Sequence, residues 1–464
     1  ASSASSATPD PHAVRVIAGQ LFLSCLSIAL LLQARPQLAL RLCKQDAARA
    51  ARRLSVWTAL AAGGEFLLGP TFGALSDAYG RKWLMLLSPA ANVLLRTVLI
   101  ARPTTPALRL EATVTSALLC AGTISTSASI ADLAQGRAQA MASAKIGICA
   151  GLAFIVGPIG AGILIRRGGP ALAFKASALV SVAQLMLVGT QFQESLRRDS
   201  TSISSSIRSS SADGSGGGKK SSSYSSSNTT TSNNKDTAKR MIFRGYISPF
   251  SFTRLLTSSN RSLRLLTLVG FLQTFCEPKT WNSMTQLYMR VNVGVAPENI
   301  GRFFAAFGTA AILSKALTRT ILRHYGPAFH TTLSNMTTAL AFFCWGANAS
   351  STALSVAAPL LMAPLNMDRR AGVNTRASAA ATAAGFGKAE HAALFGNLRA
   401  LAVSFAPLLF GRIYAWANAK PGRRTGLGFW AAALFAVGAE VVHRSVGEVE
   451  DVAEQKEKSK LKLQ

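Results

Sequence analysis

The sequence predicts an all-α membrane protein of about twelve transmembrane helices in two six-helix bundles, and three observations predict it. Apolar runs of about 20 residues, enough to cross roughly 30 Å of hydrocarbon as helix, recur from one end of the chain to the other. Of the 464 residues 49% are hydrophobic and 15% charged, too apolar a balance for a soluble chain of this length. A long polar stretch divides the runs evenly, and because backbone groups in lipid must be satisfied internally, each run is read as a helix.

The first set of spans covers Ala13–Leu32, Leu54–Leu75, Trp83–Ala101, Ala107–Ala131, Ala140–Ile165 and Pro170–Gln191. The second covers Leu263–Tyr288, Ile300–Leu322, Ala328–Ala347, Thr352–Asn366, Ala389–Trp416 and Leu427–Val442. Residues 1–12 form an Ala/Ser-rich start expected to be disordered, without a basic stretch ahead of an apolar core, so no cleavable leader is expected in them. Residues 13–193 and 261–443 are the two bundles, and 444–464 are a charged, solvated tail.

Between the bundles, residues 194–260 are dominated by Ser, Thr, Asn and Gly, which cannot bury enough apolar area to offset chain entropy. This stretch is expected to be a disordered loop, and its Arg and Lys residues place it in the cytoplasm. An even number of preceding spans puts the N-terminus on the same side. The loop between the first two spans opposes that orientation, because it carries Arg35, Arg41, Lys44, Arg49, Arg52 and Arg53.

A formal charge of +29 raises the question of nucleic acid. The bases are scattered over loops, without a basic helix or an aromatic-interleaved platform, so the expected partner of the charge is the lipid bilayer. Six cysteines are dispersed and five histidines lie at termini, loops or span ends, so neither a metal site, nor a cofactor, nor a catalytic constellation is expected.

The densest motif is the turn between spans two and three, Gly73-Ala-Leu-Ser-Asp77-Ala-Tyr-Gly80-Arg81-Lys82. Gly73 and Gly80 let two helix ends approach and turn tightly, Asp77 offers a carboxylate near helix N-termini, and Arg81 with Lys82 mark the cytoplasmic face. Span five reads Gly147, Gly151, Gly157, Pro158, Gly160, Gly162, in which small residues permit close helix crossing and Gly157-Pro158 predicts a kink.

These two motifs resemble those of the major facilitator superfamily, most closely its drug/proton antiporter branch of tetracycline-resistance-like exporters. Ala78 departs from the first motif, where the family prefers Arg, and Ala153 and Ala161 depart from the second, where it prefers Gly. Asp132 and Arg137 after span four match the family's pattern, and Arg399, Pro407 and Gly411 in span eleven and Glu194 at the end of span six resemble it, with Ala406 where the family has glycine and Gln193 where it has proline. Tyr325-Gly326-Pro327 repeats the first-half turn in altered form. The resemblance implies a transporter whose turn at Gly73–Lys82 is a cytoplasmic latch between halves that rock about a central cavity, with a small organic solute and a proton as its ligands.

Ionisable groups inside spans are the remaining signal, each costing about 2.5 to 3.5 kcal/mol at a helix centre on insertion scales. Glu277 is the first candidate for a proton or substrate site, because it precedes Pro278 in the middle of span seven, where a broken helix could line a wet cavity; neutralisation by Lys279 or by a neighbouring helix is its plainer reading. Glu65 in span two is the second. Gln20, Asn92, Gln273 and Asn366 could line the cavity or equally serve as interhelical hydrogen-bonding groups. Arg96, Glu111, Lys145, Lys315 and Glu440 lie towards span ends and are expected to snorkel. Three functions stay open: proton-coupled transport, facilitated diffusion of a polar metabolite, and a transporter-shaped scaffold acting through the disordered loop.

Overall fold

A computed structural model describes residues 11–133, 136–194, 249–347, 357–419 and 425–461. The expectations for residues 1–10, for most of the Ser-rich stretch and for the side chains of Asp77, Asp132, Arg137 and Lys145 lie outside the described residues.

The first half holds α1 (Pro11–Leu42), α2 (Ala47–Tyr79), α3 (Arg81–Ala101), α4 (Thr105–Leu133) and α5 (Gly136–Gln191). The last breaks at Gly168 and Gly169, so it supplies spans five and six. Gly169 takes φ +73° there, and the guanidinium of Arg41 occupies the place a Cβ would need. The second half holds α6 (Arg261–Phe275) and α7 (Pro278–Leu287), which are two pieces of span seven, then α8 (Pro297–His324) and α9 (Gly326–Ala347). Two pieces of span ten, α10 (Ala358–Asn366) and α11 (Arg370–Ala383), precede α12 (Lys388–Ala417) and α13 (Leu427–Leu461). The sum is twelve crossings. Seven described helices are long and apolar enough to span a membrane by length and composition. The other crossings are split, or diluted by polar residues such as Thr331, Ser334, Asn335 and Thr338 of α9.

Several expectations change. Span ten does not end at Asn366: the charged run Asp368-Arg369-Arg370 that reads as a loop is a turn inside the span, which resumes as α11. The bases assigned to the loop between spans one and two are mostly helical, since α1 runs to Leu42 and α2 starts at Ala47, leaving only Cys43–Asp46 between them. They remain gathered at that end of the two spans, so they still oppose the orientation. After Val442 the last helix continues to Leu461. The chain before span seven is folded from Pro249, where a 3-10 turn over Pro249–Phe252 and a helical turn over Thr253–Leu256 bury Phe252 and Leu255.

The halves meet along two helix pairs, α2 with α12 and α5 with α8. Glycine sets both approaches. Gly301 lies so close to the carbonyl of Pro158 that an added Cβ would stand 2.4 Å from it, and Gly308 faces the carbonyl of Phe154 at 2.9 Å. Pro158 has no N–H to donate to Phe154, so that carbonyl is released from the helix ladder towards α8. Gly162 faces the backbone of Pro297 and Glu298, and Gly157 faces Ala29 of α1. The span-five motif thus joins α5 to its own half and to the other.

Both helix pairs form a V. Along α2 and α12, Gly411 would place a Cβ 2.3 Å from Ser55 and Gly63 lies 4.0 Å from Ser404, whereas Gly73 and Gly396 meet nothing within 4 Å. Along α5 and α8, contact fades the same way from Gly301 to Gly147, which also meets nothing. The cores agree with this. One hydrophobic cluster runs through Leu31, Trp57 and Phe174 of the first half into Tyr288, Phe303 and Tyr414 of the second, all at the end remote from the Gly73–Lys82 turn. Near that turn the clusters separate, with Ile17, Met85 and Val188 in one and Leu266, Phe395 and Leu398 in another, reached from the first half by Phe66. The molecule is closed at the remote end and divergent at the turn end.

Candidate functional site

Glu277 sits where span seven breaks. Pro278 cannot donate to the carbonyl of Thr274, so α6 stops at Phe275 and α7 restarts at Pro278. The carbonyls at the break all find donors. Thr280 Oγ1 donates to Phe275 O at 2.9 Å, Trp281 Nε1 donates to Cys276 O at 3.1 Å, and the guanidinium of Arg369 reaches Cys276 O as well. Arg369 Nε also donates to Asn366 O at 3.0 Å. One cation therefore covers the C-terminal carbonyls of two broken helices, α6 and α10, where the backbone dipole favours positive charge.

The carboxylate of Glu277 receives Arg399 Nη2 at 2.7 Å and Arg399 Nε at 3.0 Å, and Arg370 Nε lies 3.2 Å away. Lys279 turns to the other half and pairs with Glu65 of α2. So Lys279 is not the partner of Glu277, and the plainer reading is met in its other form, with neighbouring helices supplying the charges through Arg399 of α12 and Arg370 of α11. Asp368 is paired with Lys315 at 2.8 Å. Five cations, Lys279, Lys315, Arg369, Arg370 and Arg399, thus face three carboxylates, Glu65, Glu277 and Asp368, near mid-span. Arg399 and Arg370 keep 35% and 32% of their side-chain surface exposed, which leaves donors available to a further anion. Towards the remote end α2, α7 and α12 enclose a void of only about 20 Å³ below Lys279, with room for about one water and none for a solute.

The other candidates lie apart from this cluster. Thr126 Oγ1 donates to Gln20 Oε1 at 3.2 Å, linking α4 to α1. Gln273 Nε2 donates to Asn335 Oδ1 at 2.8 Å, and Asn335 in turn donates to Glu440 at 3.1 Å. Asn92 is buried with Oδ1 unpartnered among the described residues. Asn366 is buried and contributes its carbonyl to Arg369.

Snorkelling fails for most of the groups assigned to it. Glu111 is fully buried, held by Arg35 Nη2 at 2.8 Å and Arg35 Nε at 2.9 Å and approached by Arg96 Nε at 3.4 Å. Arg96, 1% exposed, also donates to Ser181 Oγ at 2.7 Å and Ser177 O at 3.1 Å. Glu440 is buried against Asn335, His443 and Arg444. Arg35, Ser177, Ser181 and Asn335 reach these groups from helices far apart in sequence, which position within a span cannot reveal. Lys315 is exposed but paired.

At the Gly73–Lys82 turn, Gly80 has φ +108° and ends α2 where α3 begins. The carboxylate of Glu194, from the end of span six, accepts from the backbone N–H of Arg81 at 2.8 Å and of Lys82 at 3.1 Å. It lies where a Cβ on residue 80 would stand, 2.5 Å from Oε2. A carboxylate thus stands at the N-terminus of α3, that of Glu194, where the backbone dipole favours it. Arg81 is buried and donates to Ser76 Oγ at 2.9 Å, so its side chain does not mark the surface.

Residues 17–418 match the family model described as Major Facilitator Superfamily. The chain belongs to the major facilitator superfamily. No curated protein matches the sequence. Among solved structures, the human organic anion transporter MFSD10 (TETRAN) superposes with a TM-score of 0.60 at 18% identity, covering 94% of this chain and 99% of that one. The nucleoside transporter NupG superposes at 0.65 with 12% identity, covering 93% and 98%. The D-xylose-proton symporter gives 0.64 with 13% identity, covering 93% and 96%. At such identities the likeness shows the fold. The chain is an integral, multi-pass membrane transporter of this superfamily.

Arg369, Arg370 and Asp368 were not candidates on sequence, and Arg399 stood out only as part of a family pattern. The signal that could have found the first three is a charged triplet between two runs of small apolar residues, Ala357–Leu365 and Ala377–Ala384.

Proposed function

We propose that this chain is a secondary transporter that moves a small organic anion by alternating access, coupled to protons through Glu277 and Glu65. The observation that carries the reading is the excess of two positive charges among the groups gathered around the breaks in spans seven and ten. Uncompensated cations at that depth are costly, and a solute carboxylate, sulfonate or phosphate would offset them. One structural neighbour is described as an organic anion transporter and another as a proton symporter, which is consistent with both parts of the reading.

In this mechanism the solute's acidic group enters from the turn end and shares Arg399 and Arg370 with Glu277. A carboxylate that loses part of its pairing can take a proton. Anion and proton would then occupy the site together, which favours cotransport over the exchange expected from the drug-antiporter resemblance. With the Gly73–Lys82 turn on the cytoplasmic side, the structure is the inward-facing state, and the turn, clasped by Glu194, acts as a latch that re-forms contacts between the halves when the V closes.

The test is uptake of a set of organic anions and matched neutral analogues into proteoliposomes, with and without a pH gradient. Anion-selective flux driven by the gradient, abolished in Arg399→Gln and uncoupled from pH in Glu277→Gln, is the expected result. Equal flux of neutral analogues would overturn the anion assignment, and gradient-independent flux in the unaltered protein would overturn the coupling.

A further inference from the structure

A second feature lies on the lipid side of the second half. α9 and α12 both pack along α13, and between them opens a cleft of about 1010 Å³. Its walls are apolar, formed by Leu340, Phe343, Trp416, Trp430 and Leu434, with one charged residue, Arg412. Arg412 is exposed and has no ion-pair partner among the described residues. It stands five residues before Ala417, the last residue of α12, so it lies about 7 to 8 Å along the axis from the end of the span. That depth corresponds to the boundary between acyl chains and head groups, where the two indoles that line the cleft also prefer to sit.

We infer that this cleft is a binding site for an anionic phospholipid of the surrounding bilayer, with an acyl chain between α9 and α12 and the head-group phosphate on Arg412. The apolar walls alone would accept any lipid. The unpaired guanidinium selects among them, since a lipid such as phosphatidylglycerol brings a net negative charge that it neutralises, whereas the choline of phosphatidylcholine already offsets the phosphate and would leave the pair positive. The site is independent of the solute pathway, because it opens away from the V.

Trp416 and Trp430 make the inference measurable. Purified full-length protein in vesicles carrying brominated phosphatidylglycerol or brominated phosphatidylcholine reports lipid contact through indole quenching, and a Trp416→Phe/Trp430→Phe variant defines the signal that belongs to the cleft. The expected result is about a fivefold preference for phosphatidylglycerol at the cleft indoles, the size of one basic residue's attraction to an anionic lipid. Arg412→Gln should abolish the preference and Arg412→Lys should keep most of it. Ala339→Trp, which fills the cleft, should reduce cleft quenching by both lipids. Equal binding of the two lipids in the unaltered protein, or a preference unchanged in Arg412→Gln, would overturn the assignment.

Discussion

At the residue scale, the structure separates charges that hold the fold from charges that face the solute path. Glu111 is fully buried beneath two arginines, so Glu111→Gln strands Arg35 and Arg96. The expected cost is about 3 to 5 kcal/mol, as for breaking other buried pairs, read as a large drop in thermal midpoint in detergent. Glu277 differs because its arginines are a third exposed. Glu277→Gln should shift the midpoint much less than Glu111→Gln while removing the pH dependence of flux, and the reverse ordering would place the working carboxylate in the first half. Gly80→Ala combines a left-handed backbone with a clash against Glu194 and should cost about 1 to 3 kcal/mol. Adding Glu194→Ala would relieve the clash and leave the backbone strain, so the double variant should recover only part of the lost stability.

At the scale of elements, legibility followed local chemistry. The break in span seven was visible because Pro278 removes a donor in the middle of an apolar run. The close contacts of span five were visible in the spacing of Gly157, Pro158 and Gly162, although not which helices they meet. The second piece of span ten was hidden because Asp368, Arg369 and Arg370 in sequence look like solvent-exposed loop, and only the carbonyls of Cys276 and Asn366 explain how they are tolerated inside. Arg96 and Glu111 were misread for a related reason: whether a charge near a span end reaches water or a partner is decided by another helix. The helix pairs also make opposite demands on glycine. Gly301→Leu and Gly411→Val should disrupt the remote-end closure, whereas bulk at Gly73 or Gly396 meets open space here and would obstruct closing at the turn end. Spin-label distances across each end should shift in opposite directions for the two sets of variants.

The segment before span seven belongs to the same scale. Phe250 and Phe252 pack edge-to-face around Phe66 of α2, and Arg254 pairs with Glu390 at 2.6 Å while lying over Phe386. This short turn therefore touches both halves where they diverge. Phe252→Ser should loosen it and raise the rate at which reagents reach a cysteine introduced at Gly396, while deletion of Ser204–Ser232 should leave solute flux unchanged.

For the whole molecule, one observation has consequences beyond the site. A single guanidinium, that of Arg369, holds the ends of α6 and α10 together, so neither piece can slide along the membrane normal without breaking a bond to the other. Spans seven and ten should consequently behave as one hinge. Hydrogen exchange would then find the amides flanking Cys276 and Asn366 losing protection in unison, with a common opening rate, and Arg369→Leu would split that rate into two.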